Sequence, residues 1–183
     1  DIAQCLVGSE MCIRDRIGAA VLDVLARPVS GSELNVSSYP AEGISMAAGG
    51  DAANEAGTLA RLGKKVNLIT KLGRDMAGQI LLSHFQGLGV STEDTVLEDG
   101  LDTGINIVLI DRRGERSFIT NKNGSLRKLG LEDIPEAALA KSPIFSFASI
   151  FVSPLFDVPA MTSLFRSIKE KGGLLCADMT RCK

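Results

Sequence analysis

The chain has 183 residues, enough for one domain or part of a larger one. With 45% hydrophobic and 23% charged residues and a formal net charge of −2, it is neither a disordered chain nor a basic one suited to nucleic acid or an anionic membrane surface. It has no uninterrupted apolar run of about 18 residues, which excludes a hydropathy-defined membrane helix. Its single His and four Cys (positions 5, 12, 176 and 182, with no C-x-x-C pair) exclude a His- or Cys-rich metal centre and a disulfide framework, pointing to a reduced, cytoplasmic chain.

Residues 1–16 have neither helical nor strand periodicity, and their charges sit at the wrong end for a secretory signal. Residues 5–16 reverse-translate into DNA that resembles the transposase adaptor used in sequencing libraries. The expectation is that 1–16 are a sequencing-adaptor artefact outside the fold and that the natural start is missing. Residues 17–22 (IGAAVL) read as a buried strand ending at Asp23. Residues 30–48 are rich in Ser, Gly and Ala, with β-capable pieces at 35–39 and 43–46. Gly49-Gly50 breaks the chain, Asp51 is a candidate cap, and 52–62 has helical composition closed by Gly63. A strand follows at 66–70, then a helix at 76–86 capped by Asp75.

After residue 90 the period changes. Short strands are expected at 92–97, 104–110 and 115–120, the last two joined by the Asp111–Gly114 turn. A strand at 144–152, a helix at 158–171 and a strand at 173–177 complete the chain. Strand–helix–strand order implies a parallel sheet covered by helices. The strand-only stretches, near 30–48 and 92–120, imply a small antiparallel accessory sheet.

Gly49-Gly50-Asp51-Ala52-Ala53-Asn54 carries the strongest chemical signal. Two glycines before a helix allow close backbone approach, the helix start offers unpaired N–H groups, and Asn54 adds a donor and an acceptor. Such groups suit sugar hydroxyls, although a plain glycine turn with an Asp cap would use the same residues. Asp23, after a buried strand, is either a two-hydroxyl acceptor or a turn residue. Other motifs fail. Residues 57–64 (GTLARLGK) have one residue too many for a P-loop and lie in a helix, and 87–92 lack the last glycine of a dinucleotide fingerprint. His84 has no catalytic partner nearby in sequence.

Taken together, these pieces resemble the ribokinase-like PfkB family of carbohydrate kinases, from about residue 17 to 181. The matching elements are Gly18 to Asp23 (GAAVLD), Gly49-Gly50 with Asn54 and Ala56, Ala60-Arg61-Leu62-Gly63, Gly73-Arg74-Asp75-Met76-Ala77-Gly78, Gly89-Val90 and Thr103-Gly104. The resemblance implies an α/β fold: a ribokinase-like parallel sheet with flanking helices plus a small antiparallel β lid, its C-terminal part missing. It implies that Asp23, the Gly49-Gly50 backbone and Asn54 bind the sugar, with Asn106 reaching it from the lid and Arg181 contacting phosphate. Asp178 to Arg181 is similar to the family's D-x-N-x-R segment, with Thr180 in place of Asn. The D-T-x-G-A-G-D signature, which carries the anion hole and catalytic base, does not occur: Asp102-Thr103-Gly104 continues into Ile105-Asn106. The resemblance therefore implies no catalytic residue within this chain, and the base is expected downstream of Lys183.

The expectation is a fragment of an ATP- and Mg2+-dependent carbohydrate kinase that holds the sugar-binding half, dimerises through its lid and is inactive by itself. Nucleic acid and membranes are not expected as partners. A nucleoside kinase stays open, because Phe151 stands near where ribokinases carry an acidic sugar contact. A non-catalytic binding or dimerising module stays open as well.

Overall fold

The computed structural model describes residues 14–29 and 34–179. Its body is a four-stranded, all-parallel sheet. The strands are β1 (Arg14–Ile17), β4 (Val66–Ile69), β9 (Ile144–Phe147) and β10 (Leu174–Ala177), in the order β10-β9-β1-β4. A second four-stranded sheet forms the lid. It contains β2 (Val21–Arg27), β3 (Gly43–Gly49), β7 (Ile105–Ile110) and β8 (Arg116–Thr120), in the order β3-β2-β7-β8. β5 (Lys71–Gly73) and β6 (Val96–Glu98) make a small parallel pair.

Helices cover both faces of the body, as a parallel sheet requires. On one face α1 (Asp51–Arg61) and α2 (Met76–Gly87) bury Ala52, Ala53, Ala56, Leu81 and Phe85 against Val66 and Leu68. The small side chains of α1 bring its backbone close to the sheet. On the other face α3 (Glu136–Lys141) and α4 (Val158–Glu170) bury Ala138, Leu139, Leu164 and Ile168 against Ile17, Ile69, Phe145 and Phe147. Asp157 caps α4 by accepting the Ala160 N–H at 2.9 Å.

Several sequence expectations are corrected. The run 17–22 is not one strand: the chain breaks after Ile17, and Val21 begins a lid strand in which β2 pairs antiparallel with β3 and parallel with β7. The period of an apolar run cannot reveal that its two halves join different sheets. The first lid strand therefore lies at Val21–Arg27, outside the expected 30–48 and 92–120. Residues 35–39 are not a strand, the stretch at 92–97 shortens to β6 beside β5, and the strand expected at 144–152 stops at Phe147. The helix cap is Gly50 rather than Asp51. The short helix α3 has no counterpart among the sequence expectations.

Residues 14–16, expected outside the fold, form the start of β1 at the middle of the body sheet. A central parallel strand is normally a continuous apolar run; here it reads Arg-Asp-Arg, and all three residues are buried. Arg16 lies against Glu55 of α1 at 3.1 Å, and burial pulls its guanidinium below its ordinary pKa. Asp15 accepts one bond from Asn67 Nδ2 at 3.1 Å, while its Oδ2 has no hydrogen-bond partner among the described residues. Burial raises its carboxyl from an ordinary 3.8 to about 7.

Two of the sequence motifs form a structural lock. Asp75 Oδ1 accepts the Gly78 N–H at 2.8 Å and the Thr103 hydroxyl at 2.6 Å, and Oδ2 accepts the Thr103 N–H at 2.8 Å. Gly73 and Gly78 have no room for a side chain here: a Cβ would fall 2.0 Å from the Leu101 carbonyl oxygen and 2.2 Å from that of Gly73. Burial works to raise the Asp75 pKa, but the bonds from Thr103 and Gly78 outweigh it and hold the carboxyl below its ordinary value. Asp75→Ala removes three bonds to a charged acceptor and leaves the Thr103 N–H unpaired. Urea unfolding at pH 7 should show a loss of about 2–4 kcal/mol. The wild-type advantage should hold above the ordinary carboxylate range and vanish as pH falls through the depressed folded-state value.

Candidate functional site

The lid and body meet where β3 passes through Gly49-Gly50 into α1. Gly50 has φ 95°, and a Cβ there would fall 2.3 Å from the Ala19 carbonyl oxygen, so only glycine fits. Gly49 leaves space for a neighbour: a Cβ on it would fall 2.2 Å from Asp23 Oδ2. Asp23 and Asn106 are register partners on β2 and β7, so their side chains share a face. Asn106 Nδ2 donates to Asp23 Oδ1 at 2.8 Å, and the Thr120 hydroxyl on β8 donates to Asn106 Oδ1 at 2.7 Å. A relay of hydroxyl, amide and carboxylate therefore crosses three lid strands and ends at the Gly49 backbone.

A second cluster stands at the carboxyl ends of the body strands, where open α/β sheets bind ligands. Ser149 follows β9 in a left-handed conformation, φ 53° and ψ 57°, uncommon for a residue with a side chain. Its N–H donates to the Asp178 carboxylate after β10, and its hydroxyl donates to the Asp51 carboxylate at the start of α1. Backbone strain of this kind is concentrated at functional sites.

Five of the six residues singled out from sequence fall among the described residues. The structure brings Asp23, Gly49 and Asn106 into one cluster, with Gly50 as its hinge. Asn54 is exposed in α1 and joins neither hydrogen-bonded cluster; it lines a groove of about 520 Å3 with Met46, Ala48 and residues of α2. Arg181, expected at a phosphate, lies outside the described residues. So does Lys183, the position beyond which the catalytic base is expected. Thr120, Asp51 and Ser149 are absent from the sequence-based site. Asp51 reads as a helix cap, and no local pattern marks Thr120 or Ser149, whose roles arise from strand pairing and from the end of β9.

The two clusters present the carboxylates Asp23, Asp51 and Asp178, with the Asn106 amide and the Thr120 and Ser149 hydroxyls beside them. Among the described residues no group of three His, Cys, Asp or Glu is placed to hold a metal ion. Carboxylates and amides of this kind suit a neutral polyol, whose hydroxyls donate to carboxylates and accept from amides.

A helix-covered parallel body with a β lid and a polar crevice at their junction defines the ribokinase-like class of α/β proteins. The chain belongs to the pfkB family of carbohydrate kinases, whose family model, described as "pfkB family carbohydrate kinase", matches residues 17–180. It is 32% identical over 136 residues to Fructokinase-1 of Zea mays, covering 72% of this chain and 41% of that protein. It is 30% identical over 147 residues to "Probable fructokinase-5" of Arabidopsis thaliana, covering 78% and 44%. Among solved structures, a fructokinase from Xylella fastidiosa with bound ATP superposes with a TM-score of 0.75 at 26% identity, covering 93% of this chain and 52% of that one. The chain thus spans less than half the length of these two plant relatives. Among the described residues no helix is long and apolar enough to cross a membrane.

Proposed function

We propose that the chain is the sugar-binding half and lid of an ATP-dependent carbohydrate kinase that phosphorylates a hydroxyl of a small sugar, and that it does not turn over alone. The observation that carries this reading is the Asp23–Asn106–Thr120 relay against Gly49, which offers fixed acceptors and donors to a polyol. Family membership and the plant fructokinase relatives support it. In this reading Asp23 accepts from substrate hydroxyls, Asn106 holds the carboxylate in place, Thr120 orients the Asn106 amide, and Asn54 contacts the sugar from the first turn of α1. Arg181 serves as a phosphate contact. ATP and Mg2+ are held by residues other than those described, and the catalytic base lies downstream of Lys183 in the parent protein. The setting is cytoplasmic, in keeping with the free, exposed Cys176.

Residues 1–16 enter the same reading as adaptor-encoded, in place of natural ones. The support is the Arg-Asp-Arg run buried in the central strand.

Calorimetric titration of the chain with fructose, ribose and adenosine tests the substrate class. Saturable binding of a sugar is expected, with a Kd of about 1 mM or below. Preference for adenosine would replace the sugar reading by a nucleoside one. ATP consumption by the product of the complete genomic reading frame tests catalysis, and sugar binding with no turnover there would leave a binding module.

The reading includes a homodimer formed through the lid. One face of the lid sheet exposes Ile44, Met46, Ile107 and Ile119, at 71%, 65%, 43% and 55% of their full accessibility. They alternate with the Asp23 face along their strands. Ile44→Asp with Ile119→Asp should convert a dimer to a monomer in sedimentation velocity, weakening association by about a hundredfold or more.

A further inference from the structure

The groove between α1 and α2 takes no part in the relay described above. Its floor is apolar, with Leu81 and Phe85 buried beneath it, and its volume of about 520 Å3 lies within the range of small-molecule sites. Its polar lining is one-sided: Arg61, Thr58 and Asn54 lie along one stripe of α1 and His84 on α2, and no carboxylate lines it. That bias occurs in a chain with 22 acidic and 20 basic residues. Some cations elsewhere are ion-paired, Arg16 with Glu55, Lys71 with Asp133 and Glu98, and Arg74 with Asp99. Among the described residues Arg61 has no such carboxylate. His84 is exposed and makes an edge-on contact with the Phe85 ring.

We infer that this groove is a second ligand site, for a phosphate monoester carried on a compact apolar body. Arg61 provides the fork that matches phosphate oxygens, His84 and Thr58 add donors, and the Leu81–Phe85 floor takes the body. The site borders the sugar-kinase reading at Asn54, but Arg61, Thr58 and His84 take no part in that reading.

His84 is the chain's single histidine, so its imidazole NMR signals report on the groove without assignment ambiguity. The probe is phenyl phosphate, with phenol and inorganic phosphate as separate arms. Phenyl phosphate should move the His84 signals saturably, with half-saturation near about 1 mM or below. Each half alone should bind at least about tenfold more weakly, because neither uses both parts of the groove. Arg61→Gln should weaken phenyl phosphate by about tenfold through loss of the charged fork. Gly57→Leu tests the floor instead: a Cβ there has Leu88 at 3.5 Å and Arg61 at 3.8 Å as its nearest neighbours, so the longer side chain can enter the groove without altering charge. It too should weaken binding by about tenfold or more. Far-UV circular dichroism checks that each variant folds, and if one does not, the other decides. The inference is overturned if His84 is unmoved by about 10 mM phenyl phosphate, if inorganic phosphate binds as tightly, or if a folded variant binds like wild type.

Discussion

Asp15→Val is expected to stabilise the protein by about 4 kcal/mol at pH 8, roughly a thousandfold in the folding equilibrium. Asp15 lies in the central strand of the body, 1% exposed, with Oδ2 unpartnered among the described residues. Burial raises its carboxyl from 3.8 to about 7. Below about pH 4 both folded and unfolded chains hold the proton, and this group costs little. Between about 4 and 7 the unfolded chain has released the proton and the folded chain has not, so folding must retain it and stability falls as pH rises. Above 7 the full penalty applies. Valine removes that dependence and suits a parallel strand. A cavity of about 260 Å3 beside Asp15 accommodates the larger side chain, and Asn67 keeps its bond to Asp94 at 2.9 Å. Urea unfolding of both proteins at pH 5 and pH 8 checks this. Wild type should lose stability relative to the variant between the two pH values, and parallel curves would show that Asp15 is already neutralised or solvated in the fold.

The second large effect is expected at Asp23. In the product of the complete reading frame, Asp23→Ala should raise sugar KM or lower kcat by at least about tenfold, since a bond to a charged acceptor contributes about 1.5–3 kcal/mol. Asn106 would also lose its partner, so its amide would no longer be held by both Asp23 and Thr120. Gly49→Ala approaches the same point from the backbone. Its Cβ would fall 2.2 Å from Asp23 Oδ2 and must displace the carboxylate, so a similar kinetic loss is expected without any change in charge. Steady-state kinetics on the two variants, with circular dichroism to confirm folding, separates a site effect from a lid that fails to form. Wild-type kinetics in both would remove Asp23 from the site. Asn54→Ala should likewise cost about tenfold if Asn54 contacts the sugar.

The motif elements most legible in sequence were those with local causes. The Gly49-Gly50 break, the helix after it and the Asp75 cap follow from backbone freedom and from side chains that satisfy helix ends. The strand–helix–strand order was enough for a parallel sheet, and family membership agrees with the resemblance carried by those same motifs. Asp23 and Asn106 are each candidates from sequence, but nothing in the sequence joins them, since they are 83 positions apart. Their contact comes from β2 pairing with β7 in one particular register, and a shift of one residue would turn Asn106 to the opposite face.

Period and turn chemistry by themselves thus determined a parallel α/β class of fold and the glycine junction, whereas the resemblance to the family, not composition, singled out Asn106 and gave Asp23 a sugar-binding role. Tertiary structure alone decided that Val21 begins a lid strand, that Arg14–Ile17 occupies the middle of the body, that Ser149 bridges Asp51 and Asp178, and that Arg61 and His84 face one groove. The division has one physical reason. Helix caps, glycine turns and hydrophobic period are set by neighbours within a few residues, whereas burial, strand register and the partners of a charge depend on chain segments far apart in sequence.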